Sequence, residues 1–418
     1  MRDNSFSILK SFAVILLVWT SCTSFPVVSD FVGMVALPAF FLCVGYFFNA
    51  QHVARPAEYV ERRARRLYLP FIKWAVALLV LHNLWFAPGI LSEAATIPAH
   101  SYSWHEFSQR LWDIVLNMSG YDETLGATFW VFRALLLANL GFLVLFILGR
   151  KVSRFESDKE IGWAIFTISF LAVLWLVLGG LSVTGLADDS GSRYGGYREL
   201  LGLFFICCGF LFAQYRQSVV VDWRTYLLCL CVWVPVAWFY PVSMTPPADI
   251  LHFVALPLPA FAGFMLLLGA AELVSRYEGT ITRTLVYVGD NYLCVLAFFL
   301  LAFKPVSMLK AAIYGLPWSA VAESPVAPGG YWWDGFALLY LLSGVGLPLM
   351  VRYLYLRVTA GHQWGFGKWG DALFDVVLLL GVTLLRILKA IVLAFYNFFL
   401  NFFRALGEFL RASNPKDE

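Results

Sequence analysis

Few side chains in this sequence are equipped for chemistry, and most of them sit in apolar surroundings. His82 and Asn83 stand together in LLVLHNLWF. Histidine changes charge near neutral pH. Inside an apolar run it handles a proton, grips a substrate, or packs against a polar partner from another helix. Arg133 stands in TFWVFRALLLAN. A guanidinium there must meet an anion, a carboxylate or carbonyl groups, for function or for structure. Lys10 lies near the start of the first apolar run, where its stem lets the ammonium reach the interface. Arg62, Arg63, Arg65 and Arg66 form a basic run. Guanidinium groups fit phosphates in a planar fork, and the same run suits anionic lipid headgroups. Arg198 and Glu199 open another apolar run and can pair with each other or with the interface.

The motifs of soluble catalysis are missing. There is no P-loop, GxGxxG, HExxH or GxSxG pattern. The seven cysteines lie in or beside apolar runs, without a CxxC pair or a histidine set at zinc spacing. They read as small core hydrophobes, and no metal cofactor is expected.

The elements that position these residues follow from composition. The 418 residues are 60% apolar, 17% aromatic and only 14% charged. Soluble chains are about half apolar and about a quarter charged, so the solvent of this chain is lipid. A net charge of +3 is too small to argue for nucleic acid. Apolar runs of spanning length fall near 7–29, 32–50, 68–90, 127–149, 161–184, 198–215, 224–241, 250–275, 284–303 and 334–356. The first is followed at once by a second, so it reads as a span and not as a removed leader. The expected fold is an all-α membrane protein of about ten transmembrane helices.

Positive residues alternate between loops. Arg55, Arg62, Arg63, Arg65 and Arg66 follow the second span, and Arg150, Lys151, Arg154 and Lys159 follow the fourth. By the positive-inside rule both termini are cytoplasmic, and the loops 91–126 and 304–333 face the other side. The segment 361–418 reads as a separate C-terminal piece beyond a membrane domain of 1–360. In it, Asn397, Asn401, Arg404, Glu408 and Arg411 form one polar stripe on a helix of Phe and Leu. That helix lies on the membrane, docks a partner subunit, or crosses as an eleventh span.

Several stretches, in order, resemble the acyltransferase-3 family of bacterial membrane proteins. They are ILKSFAVILLVWTSC, LPAFFLCVGYFF, RRARRLYLPFIKW, LVLHNLW, SGYDETLGATFWVFRALLL and VGDNYLCVLAFFLLAFK followed by YWWDGF. The resemblance runs from Ile8 to about Tyr355. It implies a ten-span protein of the bacterial inner membrane that O-acylates an envelope polysaccharide or related glycan from a cytoplasmic acyl thioester such as acyl-coenzyme A. It also implies a basic residue in span one and, eleven residues on, a histidine acting as general base. Eleven residues is almost three turns, so the two project from one face about 16 Å apart.

Here Lys10 matches the basic position, and Ser21 stands where the histidine is expected. Val44 replaces the serine of the family's SGY stretch, Ala36 and Leu37 precede Pro38 without a histidine, and Phe298 stands where many relatives carry another. On this reading the thioester phosphates bind Arg62, Arg63 and Arg66. The acceptor sits in a cavity with Lys10, Asn83 and Arg133, and Ser21 and His82 are the candidates for catalysis. The alternative is a catalytically degenerate relative. It would serve as a polysaccharide exporter or as an accessory subunit that meets a glycan synthase or export partner through the C-terminal helix. A third reading is a small-anion transporter using Arg133.

Overall fold

The structure, a computed structural model, describes residues 4–23, 26–86, 89–91, 100–152, 157–179, 196–216, 222–244, 249–329 and 335–360. The polar-striped C-terminal helix expected near 372–412 lies outside them. The chain divides into two units, 1–354 and 355–418. In the first unit the described residues form helices and turns without a strand. Nine of the described helical segments are long and apolar enough to cross a membrane. A further one, α10 (Trp223–Phe239), is apolar but has 17 residues, about a turn short of the usual 20.

The N-terminal half begins with α1 (Ser5–Cys22), α2 (Pro26–Gly33) and α3 (Ala36–Tyr46). Next comes one continuous rod, made of α4 (Pro56–Arg63), a π-helical turn over Ala64–Tyr68, and α5 (Leu69–Phe86). The basic run is therefore the first part of the third span and not a separate loop. The segment after it contains α6 (Trp104–Asn117), started by Ser103, whose hydroxyl accepts from the Glu106 amide. It is stopped by Met118 in the left-handed region at φ 51°. Spans α7 (Trp130–Lys151), α8 (Asp158–Val177) and α9 (Tyr197–Tyr215) come next.

The C-terminal half holds α10, then α11 (Ile250–Ala255) running into α12 (Pro257–Ser275), α13 (Thr280–Asp290), α14 (Tyr292–Tyr314) and α15 (Phe336–Ala360). The ninth span differs from the expected 284–303. Its first part is the separate amphipathic helix α13, and the crossing helix α14 extends to Tyr314. Hydropathy places the end near Lys304 because a charge there is expensive. The structure removes the expense: Lys304 Nζ donates to the carbonyls of Val321, Ala322 and Glu323 at 2.9, 3.1 and 3.0 Å. Lys310 Nζ likewise donates to Ala327 at 2.9 Å.

In lipid there is little hydrophobic force between helices, so close packing through small residues holds a bundle together. At the α3–α9 crossing a Cβ on Gly45 would lie 1.8 Å from the Ile206 carbonyl oxygen, and one on Gly209 would lie 2.1 Å from that of Leu42. The two backbones touch through paired glycines. A ring cluster of Phe48, Phe142, Phe146 and Phe210 fills the space beside them.

Candidate active site

His82 lies in the last turns of α5 and is buried at 3% exposure. Its Nε2 is 3.2 Å from the carbonyl oxygen of His100. A carbonyl only accepts, so Nε2 carries the proton in the neutral ring and Nδ1 presents a lone pair. That Nδ1 faces Glu123 Oε1 at 3.9 Å. His82, Glu123, Thr124, Trp85 and three leucines line a cavity of about 10 Å³. Such a space is near the smallest that holds one water, with His82, Glu123 and Thr124 as the polar groups in an otherwise apolar lining.

Tyr102 covers a face of the imidazole. Its ring stacks on His82 with centroids 4.0 Å apart, and its hydroxyl donates to Glu123 Oε1 at 2.7 Å. Asn83 fixes this residue through the main chain. Asn83 Nδ2 donates to the Tyr102 carbonyl at 2.9 Å, and the Tyr102 amide donates to Asn83 Oδ1 at 2.7 Å. Both ends of the Asn83 amide are thus engaged in positioning Tyr102. Arg110 lies over the Tyr102 ring, 4.6 Å from its centroid, and is bound to Asp122 at 2.8 Å.

The electrostatics favour a carboxyl that titrates near neutrality. Burial pushes Glu123 up to about 7, against the lowering effect of the Tyr102 hydrogen bond and the Arg110 charge. Burial and then the neighbouring Glu123 charge push the Tyr102 phenol upward, so it stays a neutral donor. A neutral imidazole and a carboxyl raised toward neutrality thus face one small cavity. That suits proton transfer to or from a hydroxyl placed between them.

Arg133 is 2% exposed, one turn into α7. Its Nη1 donates to the Tyr121 hydroxyl at 2.7 Å, and its Nε lies 3.2 Å from Glu199 Oε1 of α9. Tyr121 and Glu123 are two residues apart, so the Arg133 and His82 groups hang from one short stretch of chain.

Ser21 is elsewhere. Its hydroxyl donates to the Leu17 carbonyl of its own helix at 3.1 Å. Among the described residues no hydrogen bond or ion pair joins it to His82. Lys10, on the same helix, holds its ammonium 5.6 Å from the Tyr292 ring centroid. Arg63 lies over Tyr59, 5.0 Å from its ring centroid. The Tyr59 hydroxyl donates to the buried Asn139 at 2.8 Å. Arg62 and Arg66 are exposed. The sixteen residues from Arg66 to His82 span about 24 Å of helix.

The structure therefore divides the expected residues between two ends. His82, Asn83 and Arg133 gather at the 100–126 segment, and Lys10, Arg62, Arg63 and Arg66 at the other end of the third span. Tyr102, Arg110, Tyr121 and Glu123 join the first group without having been expected. For Tyr121 and Glu123 the local signal in the sequence is the acidic pair beside a turn in SGYDETLG, which reads equally well as solvated loop.

Residues 3–322 match the family model of the acyltransferase domain, Acyl_transf_3. No match is found among curated proteins or among solved structures.

Proposed function

The chain belongs to the acyltransferase-3 family, and from that premise we propose that it is a membrane O-acyltransferase with His82 as its proton acceptor. The acceptor is a hydroxyl of a bacterial envelope glycan, and the donor is a cytoplasmic acyl thioester such as acyl-coenzyme A. The observation that carries this reading is His82 itself. It is buried, held in one tautomer by the His100 carbonyl, and turns its free lone pair to Glu123 across a one-water cavity.

In the reaction an acceptor hydroxyl takes the place of that water. Its oxygen attacks the thioester carbonyl carbon while Nδ1 takes its proton. The C–O bond forms, the C–S bond breaks, and the thiolate leaves with the proton returned by the imidazolium. The Glu123 carboxylate stabilises the imidazolium, and Tyr102 holds that carboxylate in place. Arg62, Arg63 and Arg66, with Lys10 behind them, supply the cationic face for the donor phosphates. The protein resides in the inner membrane with both termini cytoplasmic. The donor then approaches from the cytoplasm, and the acceptor from the side of the 100–126 segment.

One observation favours the rival reading of an accessory subunit or exporter. Ser21, at the position of the family's base, hydrogen-bonds within its own helix and to no base among the described residues. Acyl content of the envelope glycan, measured by mass spectrometry in cells carrying variants of the full chain, decides between them. With His82 as base, His82→Asn lowers acylation by about 100-fold or more. Glu123→Gln lowers it by about tenfold, and Ser21→Ala by less than about threefold. Acylation that survives His82→Asn overturns the proposal. Acylation lost on deleting the gene, but kept in all three variants, supports the accessory role.

A further inference from the structure

Among the described residues, the seam between α7 and α9 holds more positive charge and more hydrogen-bond donors than its neighbours use. A guanidinium has five N–H donors in a planar fork. Arg133 uses one on Tyr121, while its Nη2 has no acceptor among the described residues. Its Nε is close to Glu199 but lacks the alignment of a hydrogen bond. A buried guanidinium with idle donors is costly unless something accepts from them. Arg198 adds a second cation. It lies over Trp130, 4.4 Å from the ring centroid, one turn before Arg133 on α7, and its buried Nε also has no acceptor among the described residues. Among the described residues Glu199 is the one carboxylate paired with Arg133, so the two guanidinium groups exceed it by one positive charge.

We propose that this seam is an anion subsite in which Arg133 and Arg198 hold a carboxylate or phosphate carried by the acceptor. Forked guanidinium donors match the two oxygens of such a group. The acceptor is then an acidic glycan and not a neutral one. Placement supports the pairing with the proton-transfer site. Tyr121, which touches Arg133, and Glu123, which faces His82, are separated by at most about 7 Å of chain. On this placement the acylated hydroxyl is one close to the acidic group along the glycan. The identity of the ligand as acceptor rests on the acyltransferase reading, whereas anion binding itself does not.

Isothermal titration of the purified full chain in neutral detergent tests this with three probes. They are an oligogalacturonate, a neutral maltooligosaccharide of equal length, and inorganic phosphate. The acidic oligosaccharide should bind at least tenfold more tightly than the neutral one, and phosphate should compete with it. Stronger binding of phosphate than of oligogalacturonate assigns the anion to a phosphorylated acceptor or headgroup, and the reverse assigns it to a uronic acid. Arg133→Lys and Arg198→Gln should each weaken acidic binding at least tenfold and leave neutral binding as it was. Arg198 is only half-buried, so its variant carries the test if Arg133→Lys does not fold. Equal binding of acidic and neutral probes, or wild-type anion binding in Arg198→Gln, overturns the proposal. His82→Asn separates the two readings. It should keep anion binding within twofold while acylation falls, and a variant that keeps both removes the proton-transfer role alone.

Discussion

At the scale of single residues, Glu123 is the group whose burial leaves a measurable mark. Its folded pKa, about 7, is above its ordinary value of 4.5. The native chain therefore binds more protons than the unfolded chain between those two values. Glu123's contribution to stability is present in full below about pH 4.5 and is lost as pH rises through about 7. The shift corresponds to at most about 3 kcal/mol. Melting of the detergent-purified chain, followed from pH 4.5 to 8, should show a downward slope that is reduced in Glu123→Gln. Parallel curves for the two proteins would mean that Glu123 is ionised in the fold like any surface carboxylate. His82 was legible in the sequence as a buried titratable group, but its partners were not. Periodicity assigns a residue to a helix face, while His100, Tyr102 and Glu123 reach it from an irregular segment 18 to 41 positions along the chain.

At the scale of elements, the α3–α9 crossing and the long third span set the geometry. Gly45 and Gly209 let two helix backbones touch, and either side chain enlarged would have to push a main-chain carbonyl aside. Gly209→Leu should lower the stability of the purified protein by about 3 kcal/mol or more, or prevent a monodisperse product. Gly346→Ala is the control, because a Cβ there meets nothing within 4 Å. It should leave melting unchanged or raise it slightly, since alanine is the better helix former. Size-exclusion profiles and melting curves compare the two. A Gly209→Leu protein as stable as the wild type would show that the crossing can open without loss. The sequence marks these glycines only as small residues in apolar runs. Their role depends on which helix lies opposite, and that is set by packing. The ninth span makes the same point with lysine. Lys304 looks like an end to the helix until the carbonyls of 321–323 are found around its ammonium.

At the scale of the whole molecule, the basic run and the acid–base cluster lie at opposite ends of one rod from Pro56 to Phe86. In the proposed reaction the donor comes from one side of the membrane and the acceptor from the other. The proposed orientation places Arg63 in the cytoplasm and the 100–126 segment outside. Fusions of a cytoplasm-active fluorescent reporter and a periplasm-active phosphatase after Ala54, Asn117 and Arg276 check it. The first and third should fluoresce, and the second should show phosphatase activity. The opposite pattern would put the acceptor site on the cytoplasmic side and remove the transmembrane transfer.

The sequence by itself determined the solvent, the helical class, the number of crossings among the described residues to within one, and the family. All of these follow from composition, run length and local motifs, because a chain in lipid must satisfy its backbone within each helix. The tertiary structure decided which polar residues meet. Ser21 and Lys10 share one helix, yet among the described residues Ser21 gains no base. His82, Arg133 and Glu199 come from three different helices to within reach of a single loop. The physical reason is that a buried polar group is stable only with its partners. Those partners are chosen by the packing of whole helices and by the path of the segment between them, and neither is encoded in the spacing of any one run.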